Sequence, residues 1–266
     1  MQRRLILSCL FLASHSMAQP FVSVRFSEGN THKILPEIMY SGMRKASEKM
    51  GIDIIFPWEK RAAVDSKPIT IDVNDEKFAN QEEGRSLASS LALRYNLSNE
   101  TLVLVFSRSG DLASMRRRQA VNAYLQKTGI PHIDYPLSRA FDRDPYLARP
   151  IMESHLTTNP STKAIIIDHP ALQTQLISVL KNLAKKPGEV IVAGFQLNHP
   201  TIMQIQTGWV QHIIDPSPYL KGYTMVVNAY LANKDAQKLA WLKAAPLVVS
   251  PHNITILAGV KRNGLY

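Results

Sequence analysis

Cysteine is almost absent from this sequence. The single cysteine, Cys9, lies within residues 1–18, a segment with the features of a removable secretory signal. A chain that loses this segment keeps no cysteine, which excludes disulfides, a thiol nucleophile and thiolate metal ligands. A lipid anchor on Cys9 is disfavoured because only four residues separate it from Arg4.

Long apolar runs are also missing. The run Leu5–Ala13 is far shorter than the roughly 20 residues of a membrane-spanning helix. It follows Arg3 and Arg4, and the small residues Ser16 and Ala18 come after it, which is typical of a signal peptide cleaved before Gln19. The sequence therefore predicts a soluble mature protein in the periplasm.

Motifs whose spacing encodes a catalytic mechanism are missing as well. The sequence contains no G-x-S-x-G, G-x-x-x-x-G-K-[ST], G-x-G-x-x-G or H-E-x-x-H. One S-x-x-K, from Ser178 to Lys181, lies inside a predicted helix and lacks the companion S-D-N and K-T-G motifs. We therefore expect a protein that is not an enzyme and that binds no cofactor.

Basic residues exceed acidic ones, 31 against 21, for a net charge of +10. Such a surplus is compatible with nucleic acid, an anionic surface or an anionic ligand. The basic residues are scattered, however, apart from Arg116–Arg118 and Lys185–Lys186. Together with secretion, this favours a generally basic surface and predicts no nucleic-acid partner.

Strand-like and helix-like segments alternate along the chain, which predicts an α/β protein with parallel sheets flanked by helices. Predicted strands cover residues 21–26, 52–56, 68–72, 101–106, 131–134, 163–167, 189–193, 210–214, 247–250 and 254–257. Predicted helices cover residues 35–50, 82–94, 112–126, 145–157, 170–183, 200–206 and 219–231.

The segment between Phe56 and Pro68 departs from this alternation of strands and helices. It is too short for the helical crossover that joins parallel neighbours, which needs a dozen or more residues. Two alternatives stay open: either the flanking strands are not parallel neighbours, or the first part of the molecule lacks an α/β unit.

Polar residues follow most predicted strands, where open α/β sheets bind ligands. Such side chains can orient a small polar ligand. The residues at these positions are Asp72 and Asn74, Ser107, Arg108 and Ser109, Asp168 and His169, Gln196 and Asn198, and Asp215.

Each of these positions also has a purely structural interpretation. Asp168 can cap the next helix, and Gln196 and Asn198 can satisfy turn backbone. His169 and His199 could form a metal pair, but no third ligand has a recognisable spacing, so no metal site is predicted.

Two further residues are candidate ligand contacts. Arg117 lies in the helix that opens after residues 107–111, so its guanidinium could reach a cleft and grip a hydroxyl or carboxylate. Phe141 is predicted on a loop, where it either covers the core or presents an apolar wall to a ligand.

The order of these segments resembles the type I periplasmic binding proteins, the sugar-binding branch of the ABC-transporter receptors, over nearly all of the mature chain. Arg117 with Ala120 and Val121 is loosely similar to the family's R-x-x-G-F. The other matching segments are residues 68–72, 80–88 (N-x-x-x-G-x-x-L-A), 140–143 ([WF]-D-R), 159–165 (N-P-D-I-x-A-I), 192–196 (V-V-G-F-D), 214–222 (Q-Q-P-Y-x-x-G) and 246–250.

The resemblance implies two Rossmann-like lobes that trap a ligand by hinge closure. The lobes would comprise residues 19–74 plus 218–246 and residues 75–215 plus 247–266, with crossovers near residues 73–74, 215–217 and 248–250. It implies a monomeric solute-binding protein for an ABC permease; the alternative is a sensing subunit for a histidine kinase or chemoreceptor.

Four departures from the family pattern concern the ligand. Gln196 replaces the usual ligand-gripping aspartate, and Ser217, a candidate contact, stands where a glutamine is common. The loop Ser27–Ile34 lacks paired aromatics, and residues 57–67 replace a helix and a strand. The identity of the small polar ligand, a sugar, a sugar-like molecule or another polar solute, therefore stays open.

Overall fold

The computed structural model describes residues 21–25, 37–56, 69–72, 76–108, 110–234 and 245–255. The predicted signal peptide, the loop Ser27–Ile34, the connection 57–67 and Asn74 lie outside the described residues.

The strands and helices alternate as predicted. The strands are β1 Phe21–Arg25, β2 Asp53–Ile55, β3 Ile69–Asp72, β4 Leu102–Arg108, β5 His132–Leu137, β6 Thr162–Ile167, β7 Ile191–Phe195, β8 His212–Asp215 and β9 Leu247–Val249. The α-helices are α1 Glu37–Met50, α2 Glu76–Tyr95, α3 Leu112–Lys127, α4 Ala140–Arg143, α5 Arg149–Thr158, α6 Pro170–Asn182, α7 His199–Gln206 and α8 Pro218–Lys234, and a 3-10 helix covers Pro145–Ala148.

The described strands form two sheets. The smaller has the order β2-β1-β3 and is parallel throughout. The larger has the order β5-β4-β6-β7-β8-β9, parallel except for β9, which runs antiparallel to β8. This arrangement confirms the predicted α/β class with mostly parallel sheets.

The strands that flank the short segment after Phe56 are not neighbours. Both β2 and β3 pair with β1, which lies between them. The first of the two alternatives is therefore correct.

Several elements differ from the prediction, and two of the differences have a clear local cause. Helix α2 begins at Glu76 rather than Glu82, since residues 76–81 contain neither proline nor glycine to stop it. The strand predicted from Ile254 is wrong: Ile254 and Thr255 are helical, and the Ile254 N–H donates to the Ser250 carbonyl. The Ile254 side chain is buried in the core cluster on one face of the larger sheet.

Helices cover both faces of the larger sheet. Along β4, Leu104 and Phe106 point to one apolar cluster, while Val103 and Val105 point to the other. The first cluster also contains residues of α5, α6 and α7, and the second contains residues of α2 and α3. Because successive side chains of a strand alternate between faces, an uninterrupted apolar run is what a doubly covered strand requires.

Helices α1 and α8 pack on each other beside the smaller sheet. Met43 and Val226 are fully buried in a cluster that also includes Ile54 of β2. The two helix backbones approach closely at Gly42 and Gly222. A Cβ atom at Gly222 would overlap the carbonyl oxygen of Met39, and one at Gly42 would overlap that of Tyr219.

We predict that Gly222→Ala destabilises the protein although alanine favours a helix by about 1 kcal/mol. The added methyl group forces α8 away from α1, and such overpacking lowers the free energy of unfolding by about 2 kcal/mol. Leu220→Ala, at an exposed position of the same helix, should change it by less than about 0.5 kcal/mol. The free energy of unfolding of both variants is measured by urea titration. An unchanged or raised stability of Gly222→Ala contradicts the close approach.

His212 lies in the contact between β8 and α2. Its side chain is buried, its Nε2 lies 2.7 Å from Ser90 Oγ, and its ring meets the Tyr95 ring edge-on. Burial, with a smaller contribution from Arg94, lowers the pKa of His212 from 6.5 to about 4. Folding therefore favours the neutral imidazole.

We predict that stability falls as the pH is lowered from about 6.5 to about 4, the interval between the pKa of His212 in the unfolded and the folded chain. In that interval the unfolded chain binds more protons, and the loss amounts to about 3 kcal/mol. His212→Gln, which can still form a hydrogen bond with Ser90, should flatten this part of the curve. Equal slopes for the two proteins in chemical denaturation would contradict the assignment.

Candidate functional site

The carboxyl ends of β4, β6, β7 and β8 meet at one edge of the larger sheet, because these strands are parallel. We call this the strand-end edge. Six of the predicted contacts lie on it or on the loops that leave it: Ser107, Asp168, His169, Gln196, Asn198 and Ser217.

The other predicted contacts lie elsewhere. Asp72 is the last residue of β3, in the smaller sheet, and Asn74 is outside the described residues. Arg117 comes from α3 and Phe141 from α4, both of which follow strands of the larger sheet.

Helix α3 carries Arg117 beneath the strand-end edge. The helix begins after Asp111, whose carboxylate accepts the Ser114 N–H at 3.0 Å. It packs closely on α2 at Gly84, where a Cβ atom would overlap the Arg117 carbonyl oxygen. This contact brings Arg117 next to Glu83, the residue before that glycine.

The Arg117 guanidinium is buried between two carboxylates. Its Nε and Nη2 each lie 3.2 Å from an oxygen of Asp168, and its Nη1 lies 3.2 Å from Glu83 Oε2. Its face also lies over the Phe195 ring, 5.1 Å from the centroid. Burial alone would lower the pKa of Arg117, but the charges of Asp168 and Glu83 raise it.

Glu83 carries the charge network on to α8. Its second oxygen, Oε1, lies 2.7 Å from Lys221 Nζ. Glu83 is only 2% exposed, so both of its oxygens are held by cations away from water. Helix α8 also packs against α1, so this ion pair links the larger sheet's helices to those beside the smaller one.

The interpretation of Asp168 as a helix cap is wrong. His169 occupies the N-cap position of α6 and makes no side-chain capping bond. The Asp168 carboxylate points to Arg117 instead. Asn198 does cap a helix, since its Oδ1 accepts the Thr201 N–H at 2.9 Å at the start of α7.

Phe141 lies in the short helix α4, not on the predicted loop. It is half-buried and packs against the core cluster that contains Phe106. The next residue, Asp142, forms two 2.7 Å hydrogen bonds with Arg108, the last residue of β4. This bidentate pair fastens α4 to the strand-end edge.

Three buried polar atoms near this edge have no hydrogen-bond partner among the described residues: Ser107 Oγ, His169 Nδ1 and Ser217 Oγ. Such an atom costs about 1–3 kcal/mol. A polar ligand at the edge would supply the missing partners. Burial, and then the charge of Arg108, lowers the pKa of His169, which favours the neutral ring.

The backbone is strained at two of the predicted contacts. Gln196 has φ 70° and Ser217 has φ 49°, a left-handed conformation that non-glycine residues seldom adopt. Strain of this kind costs about 1–3 kcal/mol and persists where the surroundings impose it, often at functional sites.

Sequence reasoning did not single out Glu83 or Lys221 as site residues, and it named Arg108 only among the polar residues that follow a predicted strand. Glu83 was visible in principle, because it shares helical spacing with the buried residues Leu87 and Leu91. A carboxylate on the apolar face of a helix signals a buried cation partner.

Solved structures share this architecture, whereas no family model and no curated protein matches the sequence. A periplasmic ribose ABC transporter protein from Conexibacter woesei has a TM-score of 0.68 at 12% identity, covering 93% of this chain and 97% of its own. The periplasmic binding component of the arabinose ABC transporter from Shewanella scores 0.62 at 16% identity, covering 91% and 96%. A complex of XylFII with LytSN scores 0.60 at 14% identity, covering 89% and 100%.

At such low identity the likeness shows the fold. The chain has the α/β fold of the periplasmic sugar-binding proteins. The resemblance drawn from the sequence is confirmed at the level of the fold. No helix among the described residues is both long and apolar enough to cross a bilayer.

We predict that Asp168→Asn lowers the free energy of unfolding by about 3 kcal/mol, because it leaves Arg117 buried with an incomplete set of carboxylates. The matched control is Asp134→Asn, which removes the partner of the neighbouring Arg118. That pair is partly exposed and 3.7 Å apart, so the loss should stay below about 1 kcal/mol. Equal losses in guanidinium unfolding would show that the Arg117 contact does not dominate.

Proposed function

We propose that this protein is a periplasmic solute-binding protein, which holds a small polar ligand, a sugar or a sugar-like molecule, for an ABC importer. The observation that carries the proposal is the set of buried, unpartnered polar atoms at Ser107, His169 and Ser217. They lie at the edge where α/β sheets bind ligands, in a fold shared with sugar-binding proteins.

The proposal divides the molecule into two lobes, residues 19–74 plus 218–246 and residues 75–215 plus 247–266. The common core of α1, α8 and β2 supports the first lobe. The two clusters on either face of the larger sheet support the second. The chain passes between the lobes after β8 and again before β9, and closure about these crossovers would trap the ligand.

The proposed contacts play different parts. Ser107, His169, Gln196 and Ser217 present polar groups at the strand-end edge, and Asp72 and Asn74 are the proposed contacts of the opposite lobe. Arg117 and Asp168 form a buried ion pair beneath the edge. Asn198 and Phe141 also have structural roles, as a helix cap and as a core residue, that are compatible with contact to a ligand.

The proposed location is the periplasm, supported by the signal-like residues 1–18 and by the neighbours described as periplasmic. The proposed unit is a monomer that meets a permease once loaded.

A sensing subunit for a histidine kinase or chemoreceptor is the second candidate. One protein of this fold has been solved in complex with another, as XylFII with LytSN. Affinity purification from the native cell separates the two roles: an importer subunit recovers a permease and its ATPase, and a sensing subunit recovers a receptor or kinase.

We predict that a library of neutral sugars and polyols contains a compound that raises the melting temperature of the mature protein. A ligand at about 100 times its Kd stabilises the folded state by about 2.7 kcal/mol. Gln196→Ala should abolish this shift without loss of stability, since the Gln196 side chain is exposed. Gln126→Ala, exposed at the end of α3, should leave it intact.

Two results would contradict the proposal. One is a library without a single stabilising compound. The other is chemical conversion of the bound compound, which product analysis by mass spectrometry detects and which would indicate an enzyme.

A further inference from the structure

Two cations near the strand-end edge are already neutralised by carboxylates of the chain itself. Arg108 is paired with Asp142 through two hydrogen bonds. Arg117 is shared by Asp168 and Glu83. The edge therefore offers a ligand no unpaired guanidinium from these two residues, although the protein as a whole carries a charge of +10.

Glu83 is the centre of this compensation. One of its oxygens contacts Arg117 and the other contacts Lys221. With Asp168 the group comprises two cations and two carboxylates, so its formal charges cancel. Three of its members, Glu83, Asp168 and Arg117, are less than 10% exposed, and water therefore screens little of any imbalance.

The group lies beneath the proposed ligand position at the strand-end edge. Asp168 follows the last residue of β6, and Phe195, whose ring lies under the Arg117 guanidinium, is the last residue of β7. A charge brought to the ends of these strands would act on the group through a poorly hydrated interior. Removing the Glu83 charge would leave one uncompensated positive charge, which attracts an anion.

We propose that Glu83 is a specificity-determining residue that excludes anionic ligands by neutralising Arg117 and Lys221. This inference rests on the proposed function and deepens it: the ligand carries no carboxylate or phosphate group. Glu83 acts through the two cations and need not touch the ligand.

The test uses sets of sugars that share a ring and differ in charge: galactose, galacturonate and galactosamine, with the corresponding glucose and mannose sets. Calorimetry on the full mature protein gives the Kd of each member. The wild type should bind the neutral member of its preferred set at least about tenfold more tightly than the uronate. Glu83→Gln should reduce that ratio by about tenfold or more.

A matched control and a compensating variant isolate the charge. Glu82→Gln makes the same change at the neighbouring, exposed position of α2 and should leave the ratio unaltered. Glu83→Gln with Lys221→Met restores a balanced pair, Arg117 with Asp168, and should return the wild-type preference. Glu83→Gln alone should lower the melting temperature by about 10 °C, and the double variant should recover part of that loss.

Lys221→Met tests the effect of an excess negative charge in the group. Because this variant keeps Glu83, it can be measured even if Glu83→Gln does not fold. It leaves an excess negative charge, so binding of the amino sugar should improve by about tenfold relative to the neutral sugar. Failure of this gain overturns the inference.

The remaining outcomes separate the two proposals. A wild type that binds a uronate at least as tightly as the neutral sugar overturns the role of Glu83 and leaves solute binding standing. An unchanged ratio in a folded Glu83→Gln variant does the same. A wild type that binds neither a member of these sets nor any compound of the sugar and polyol library overturns both proposals.

Discussion

The buried contact between Glu83 and Arg117 is the interaction on which the arrangement of the site depends. A guanidinium this deep in a protein is tolerated only where carboxylates surround it. Arg117 of α3 contacts both Glu83 of α2 and Asp168 at the end of β6. These contacts fix the positions of the two helices relative to the larger sheet. Lys221 extends the same constraint to α8. The same ion pairs therefore fix the positions of these side chains, balance their charges and connect the two parts of the molecule.

Close backbone approach makes these contacts possible. Gly84 allows α2 to lie against α3 at the level of Arg117, and Gly42 and Gly222 do the same for α1 and α8. Side chains at these points would separate the helices, and the ion pair between Glu83 of α2 and Arg117 of α3 would lengthen. These glycines therefore determine how closely the helices, and with them the charged side chains, can approach one another. For this reason the motif around Gly84 matters both for helix packing and for the geometry of the site.

Much of the fold could be predicted from the sequence, because its signals are local. Apolar runs such as Ile165–Ile167 marked the buried strands, and their alternation with helices predicted the parallel sheet. The site was harder because its contacts are distant in the chain: Glu83 meets Arg117 across 34 positions and Lys221 across 138. Arg117 was recognised by its place in a motif, yet no local pattern reveals that two carboxylates of the same chain already hold it. The antiparallel direction of β9 was equally invisible.

The packing of α8 against α1 has a consequence for how the molecule assembles. The smaller sheet is built from residues 21–72, yet the helix that completes its core begins at Pro218. Those early residues therefore have no finished core until most of the chain is available. Contacts of such long range slow the search for the native state. The smaller sheet therefore completes its folding late, only after α8 has been synthesised.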